Sequence, residues 1–258
     1  MRLAIASDLH LEFSTADRSR ALSFPADLDV IVLAGDIATG KHSLDIIFDL
    51  SLRHPTSHIV WIAGNHEYYQ HNIDQQIDEY RSACDGNDRV HFLENDSVVI
   101  DSVRFIGSTL WTDFSVLGNS DRPMAVADRG INDFRLISTI KNDRFTPRDA
   151  ADRFKQSKSY LERQLSSGDS KKTVVVSHFP PGLKTHNKNF ALDDMACYFQ
   201  ANVDSIIQKY QPMLWIYGHN HYSDDFKIGN TRLVSNQLGY PSEQGRIPTY
   251  DASKTIHI

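Results

Sequence analysis

Five short apolar runs rich in β-branched residues recur along the chain: Arg2–Ala6, Asp29–Ala34, His58–Ala63, Lys172–Ser177 and Met213–Tyr217. Each has the length of a strand and is apolar at successive positions, the pattern of a strand covered on both faces. Between them, Ser43–Arg53, Ile73–Cys84, Pro147–Ser166 and Asp193–Tyr210 carry apolar residues at helical spacing, as in Leu44, Ile47 and Phe48, or Phe154, Leu161 and Leu165. Alternation of strand and helix predicts βαβ units and largely parallel pairing.

A second pattern interrupts the first. Val90–Phe92, Val98–Ile100 and Val103–Ile106 read as short strands, with a tight turn at Asp101-Ser102. Asp224–Ile228 and Thr231–Ser235 flank Gly229-Asn230, a hairpin signal because glycine supplies positive φ at little cost. Two packed sheets with helices outside are expected. From Trp111 to about Arg148 the periodicity is weak, so this stretch reads as a surface insertion or a lid over a site. No repeat or linker divides the chain, which predicts one domain over residues 1–258.

Composition narrows the function classes. The chain has 258 residues and a formal charge of −6, from 27 Lys plus Arg against 33 Asp plus Glu. That balance, with no basic stretch, argues against a nuclease or a broad nucleic-acid surface. Only Cys84 and Cys197 are present, which excludes a disulfide scaffold and a thiolate zinc site. The first apolar stretch is broken by Ser7 and Asp8 and is too short for a signal-peptide core. No run is long enough to span a bilayer, so a cytoplasmic protein without membrane association is expected.

The 12 histidines change the picture. Each of the five buried strands runs into a turn bearing a potential metal ligand. These turns hold Asp8-Leu9-His10, Gly35-Asp36, Gly64-Asn65-His66-Glu67, His178 and Gly218-His219-Asn220-His221. In α/β sheets, sites form beyond the carboxyl ends of strands, so the five turns should converge. Any one has an ordinary structural explanation. Five together do not, because burying so many ionisable groups without a cation is costly.

Carboxylate and imidazole without thiolate suits Mn²⁺, Fe²⁺/Fe³⁺ or Zn²⁺. Seven candidate ligands, Asp8, His10, Asp36, Asn65, His178, His219 and His221, exceed the needs of one ion with an open position. They suit two divalent ions about 3.5–4 Å apart that share a carboxylate, an arrangement used on phosphate esters. A shared carboxylate needs both oxygens free, and Asp36, central in chain order, fits that part.

These motifs resemble the calcineurin-like metallophosphoesterase superfamily, whose signature runs Asp-x-His, Gly-Asp, Gly-Asn-His-Asp/Glu, a lone His and Gly-His-x-His. All are present in order between residues 8 and 221. The resemblance implies an α/β fold, a four-layer α/β/β/α sandwich of two mixed sheets flanked by helices. It implies one metal on Asp8, His10, Asp36 and His221, and the other on Asp36, Asn65, His178 and His219. The implied reaction is hydrolysis of a phosphomonoester or phosphodiester by in-line attack of a water bridging the two ions. His66 would assist the leaving oxygen, and Glu67 would cap the next helix or orient a neighbour.

Departures narrow the subfamily. Phosphoprotein phosphatases of the superfamily carry an Asp-Arg pair where this chain has Thr39 and Gly40, which removes a phosphate clamp and a partner for the histidine. UDP-diacylglucosamine hydrolases carry Arg where His66 stands. Cyclic-nucleotide phosphodiesterases often have a second His where Phe179 follows His178; that activity stays as the alternative. Gly107–Phe114 looks like bacterial metallophosphoesterases of unassigned substrate. A non-catalytic scaffold on the same fold is the alternative of another class, disfavoured because every ligand and His66 are kept. The expected partner is a small phosphate ester, held by Arg129, Asn132, Arg135 and His186, with Tyr222 or Trp111 able to stack on a base. Asn236–Arg246 is expected at the rim. Asp128, Arg129, Asp133 and Arg135 read equally well as plain charged surface.

Overall fold

A computed structural model of the chain describes residues 1–13, 21–141, 144–243 and 250–258. Its first sheet holds β1 (Arg2–Ala6), β2 (Val30–Ala34), β3 (His58–Ile62), β4 (Val90–Phe92) and β11 (Thr255–His257), in the order β11-β1-β2-β3-β4. Its second holds β5 (Asp96–Ile100), β6 (Val103–Ser108), β7 (Thr173–Ser177), β8 (Leu214–Tyr217), β9 (Asp225–Ile228) and β10 (Thr231–Ser235), in the order β5-β6-β7-β8-β10-β9. Both sheets are mixed. The pairs β1–β2, β2–β3, β3–β4, β6–β7, β7–β8 and β8–β10 are parallel, and β1–β11, β5–β6 and β9–β10 are antiparallel.

The strand residues divide between two cores. Leu3 and Ile5, Val30 and Val32, and Val60 and Ile62 pack with Val174, Val176, Leu214 and Ile216 in one cluster. Their alternates Ala4, Ile31, Leu33, Ile59 and Trp61 join the residues of the covering helices in the other. Alternation between two apolar layers explains why these strands read as unbroken apolar runs. The covers are α1 (Lys41–Arg53) and α2 (Ile73–Cys84) on the first sheet, and α5 (Pro147–Ser167) on the second. Layers of helix, sheet, sheet and helix result. The helix starts carry their chemistry: Asn72 accepts from the N–H groups of Asp74 and Gln75, and Thr146 and Asp149 form a reciprocal capping box.

Two expectations are corrected. Asp193–Tyr210 is not one helix. It is a 3₁₀ turn at Met195–Cys197 followed by α6 (Asp204–Tyr210). Tertiary bonds take the backbone groups between: Thr112 Oγ1 donates to the carbonyls of Cys197 and Gln200, while the N–H groups of Ala201 and Val203 donate to Pro180 and Pro181. Secondly, the stretch from Trp111, read as a surface insertion or a lid, is packed into the fold. It forms α3 (Asp121–Gly130) and α4 (Asp133–Leu136), and Trp111, Phe114, Phe134 and Phe145 are fully buried. Trp111 packs against Tyr68, Phe145 and Phe179 and presents no face for a base. Residues 142–143 of this stretch lie outside the described residues. Val90–Phe92, read as a short strand, forms one and pairs with β3 at the edge of the first sheet. The hairpin turns meet their expectation: Asp101 and Ser102 both take positive φ, as does Gly229. Among the described residues, no helix is long and apolar enough to cross a membrane.

Candidate metal centre

The five turns converge, but from two sheets. β1, β2 and β3 deliver Asp8, Asp36 and Asn65, and β7 and β8 deliver His178 and His219 with His221. The His219 N–H donates across the sheets to the Asp8 carboxylate at 2.9 Å, and within the second sheet the Gly218 N–H donates to the His178 carbonyl. Asp8, His10, Asp36, His219 and His221 all take positive φ, a conformation costing a non-glycine residue about 1 kcal/mol or more. Such strain gathered at the functional turns is a mark of a site that the surrounding structure enforces. Glycine answers a different need at Gly64, where a Cβ would lie 2.2 Å from Asp36 Oδ1 and 2.7 Å from the Asp36 nitrogen.

Three groups of potential ligand atoms form among the described residues; one is His10 with Glu12 and His66, and the other two hold the predicted ligands. In the first of those two, Asp8, His10 and His221 bring ligand atoms within 4.8 Å of one another; in the second, Asp36, His178 and His219 do so. The second groups with Asn65, whose Oδ1 lies 3.1 Å from His178 Nε2. Asp36 joins the two: its Oδ2 is 3.4 Å from His178 Nε2 and 3.8 Å from His10 Nε2. The expectation that both Asp36 oxygens are free is corrected, because Oδ1 accepts the His66 N–H at 2.9 Å. A single oxygen therefore sits between the groups, and the other fixes its orientation.

The tautomers show what belongs between these atoms. His178 Nδ1 lies 2.8 Å from the Ala34 carbonyl, which can only accept, so Nδ1 carries the hydrogen. His10 Nδ1 faces Glu12, and His221 Nδ1 faces Glu243, again acceptors. With Nδ1 protonated, each neutral ring turns an Nε2 lone pair inward, where His10 Nε2 and His221 Nε2 stand only 3.1 Å apart. His219 Nε2 is buried with no hydrogen-bond partner. Converging lone pairs and a buried orphan nitrogen are costly unless a cation satisfies them. The donor set, carboxylate, amide oxygen and imidazole, fits divalent transition metals.

Without a cation the same groups share protons. Burial opposes ionisation of Asp36, but the imidazoles, His178 foremost, hold it well below the usual carboxylate range. Burial lowers His178, yet Asp36 raises it to about 9. Burial, reinforced by His178, pushes His219 well down, leaving it neutral and ready to bind a metal.

His66 lies beside this centre. Its Nδ1 is 2.8 Å from Glu12 Oε1, and its Nε2 is 2.9 Å from the Tyr240 hydroxyl. Burial lowers its basicity, but Asp36 and Glu12 together raise it above the ordinary value. Burial works against the Glu12 charge, but its bonds to His10 and His66 bring it down to about 2. Glu12 thus supplies the carboxylate partner that Thr39 and Gly40 do not. Sequence reasoning missed it; an acidic residue two places after His10 is unremarkable unless the turn is known to fold over the site.

Glu67 caps no helix, since α2 begins at Ile73 behind its Asn72 cap. Fully buried, it accepts from the N–H groups of Asp36, Ile37 and Gly64, pinning two of the five turns together. Burial and the neighbouring Asp36 raise its carboxyl to about 8.

Asp133 is a second residue the sequence concealed. Read as charged surface, it is fully buried and accepts from Asn65 Nδ2 and Tyr69 OH, both at 2.9 Å, and from Tyr198 OH. Its bond fixes the Asn65 amide so that Oδ1 faces His178. Asp133→Ala is expected to strand three buried donors and lower stability by about 3 kcal/mol or more. It should also weaken metal retention by freeing Asn65; thermal unfolding and metal content of the same preparation check both.

The candidate substrate residues separate. Asn132 and His186 border a cavity of about 520 Å³ that also reaches Asp36, Asn65, His219 and His221. Arg129 and Arg135 are exposed and do not line it, and Arg135 donates to Asn132 Oδ1 at 2.8 Å. Their assignment as a phosphate grip is not supported by this placement, because helix α3 and the α4 turn direct both to solvent. Tyr222 does not line the cavity either; the Lys188 ammonium lies over its ring. From 236–246, Tyr240 and Glu243 border the cavity, and residues 244–246 lie outside the described residues.

Fold, ligand turns and imidazole geometry together are those of a metal-dependent phosphoesterase. The chain belongs to the calcineurin-like phosphoesterases, whose family profile matches residues 1–223. It is accordingly a metal-dependent hydrolase of phosphoric ester bonds. It is similar, at 28% identity over 96% of this chain and 94% of the relative, to an uncharacterized protein of Acanthamoeba polyphaga mimivirus. The phosphopantetheinyl hydrolase of Mycobacterium tuberculosis shares the fold, with TM-score 0.78 and 22% identity over 98% of this chain and 95% of that one. A protein of Thermus thermophilus gives TM-score 0.53 and 14% identity over 94% of this chain and 90% of its own.

Proposed function

We propose that the chain hydrolyses a small phosphomonoester or phosphodiester at a dinuclear centre, with Asp8, His10, Asp36 and His221 as one ligand set and Asp36, Asn65, His178 and His219 as the other. The observation that carries this reading is the inward convergence of Nε2 atoms, with His10 and His221 at 3.1 Å and His219 Nε2 buried and unpartnered. Two divalent cations bound there would polarise the phosphoryl oxygens and make water acidic enough to be a nucleophile near neutral pH.

The chain's own residues do the rest. Asp36 Oδ2 supplies negative charge to both sets, and Oδ1 is kept from rotating by the His66 N–H. Glu12, Glu243 and the Ala34 carbonyl hold the Nδ1 hydrogens, so three rings face inward in the binding tautomer. His66, raised above its ordinary pKa beside Glu12, holds a proton that it gives to the departing oxygen. Glu67 keeps the Gly35-Asp36 and Gly64-Asn65 turns in register.

A panel of p-nitrophenyl phosphate, bis-p-nitrophenyl phosphate, sugar phosphates and 3′,5′-cyclic nucleotides tests the reading. Chelated protein should be inactive, and adding Mn²⁺ should restore hydrolysis of at least one ester. Inertness of the metal-loaded protein across the panel would refute it. Preference for the cyclic nucleotides would favour that alternative.

A further inference from the structure

The cavity beside the ligand turns has a chemistry of its own. Its wall away from the metal ligands carries Ile131, Phe190, Ala191, Met195 and Phe199. That wall also carries Asp193, an acid, and His186, whose two ring nitrogens face Gln200 Nε2 and the Phe190 carbonyl; no Lys or Arg lines the cavity among the described residues. The amide of Asn132 and the Tyr69 ring add polar but uncharged surface. The loop after β7 also leaves apolar side chains in water: Phe190 is 57% exposed, Leu192 46% and Leu183 39%. Of these, Phe190 borders the cavity. A volume of about 520 Å³ is that of a small-molecule pocket, much more than one phosphate needs.

Resting on the phosphoesterase reading above, we infer that this cavity holds the organic substituent of the phosphorus, and that the substituent is uncharged, with apolar and amide or hydroxyl character. A cation pair neutralises the reacting phosphate at the ligand turns. A second anionic group further along the substrate would meet Phe190, Met195 and the Asp193 carboxylate, none of which can replace its hydration. Nucleoside di- and triphosphates and phosphoproteins with acidic flanks are therefore poor fits. Phosphodiesters with one neutral arm are good ones.

Three p-nitrophenyl diesters that share one leaving group separate this inference from the reading beneath it. Their second substituent is methyl, hexyl, or hexyl with a terminal phosphonate. The hexyl ester should exceed the methyl ester at least about tenfold in kcat/KM, from burial of five more methylenes. The phosphonate-terminated ester should fall to the methyl level or below. Phe190→Arg, at an exposed position that folding does not depend on, should cut the hexyl-to-methyl ratio and raise the phosphonate-to-hexyl ratio at least about threefold each. Cleavage of all three at equal rates would overturn the inference and leave the phosphoesterase reading standing. If none is cleaved, that reading fails, and calorimetry on Mn²⁺-loaded protein still decides the pocket. Hexylphosphonate binding at least about tenfold more tightly than methylphosphonate supports it; equal or undetectable binding of the two overturns it.

Discussion

Asp36→Asn is expected to abolish ester hydrolysis and deplete bound metal together. The substitution is nearly isosteric and preserves a carbonyl-type acceptor for the His66 N–H, so the Gly35-Asp36 turn should still form. What it removes is the negative charge at the one oxygen that lies between His178 and His10. An amide in that place is a weak ligand for either set and shared by neither. The loss should exceed the about 10³-fold typical of removing one preorganised electrostatic contact. Metal content by plasma mass spectrometry and turnover of bis-p-nitrophenyl phosphate, measured on one preparation, check the pair. Wild-type turnover with the asparagine in place would remove Asp36 from the centre.

His66→Ala should behave differently. His66 belongs to neither of the two ligand sets and lies between Glu12 and Tyr240, so metal content should stay near that of wild type. Loss of a general acid costs about 10²–10⁴ in rate. The penalty should be greatest for alkyl leaving groups, which depart only when protonated, and smallest for p-nitrophenolate. A plot of log kcat against leaving-group pKa should thus be steeper for the variant. Parallel plots for the two proteins would give His66 a purely structural place. Glu12→Gln offers a related check, since it removes the carboxylate that raises the His66 pKa along with Asp36. The alkaline limb of the pH profile, set by loss of the protonated imidazole as pH rises, should move to lower pH.

Much of this centre is legible in the amino-acid sequence. Strands β1, β2, β3, β7 and β8 stand out as unbroken apolar runs because both faces of each are covered. The ligands stand out because each follows such a run, where glycine and polar residues are conspicuous. What stays hidden depends on distance in the chain. Glu12, Tyr240, Glu243 and Asp133 reach the site from segments with no periodicity, and each has a residue type that is ordinary at a surface. Asp133 is the hardest to see: only the three donors from Asn65, Tyr69 and Tyr198 make its burial tolerable, and no local pattern encodes them. The same reason defeats a continuous 193–210 helix, whose periodicity is real but whose backbone is claimed by Thr112, Pro180 and Pro181. The short β11 escapes notice because three residues carry too little pattern to read.

The two-metal centre is tested most directly by titrating Mn²⁺ into chelated protein while following both metal uptake and ester hydrolysis. Uptake should reach two ions per chain, with activity rising as the second site fills and staying absent when His219 is replaced by Ala. Full activity in the chelated protein, or activity that saturates with a single ion bound, would contradict it.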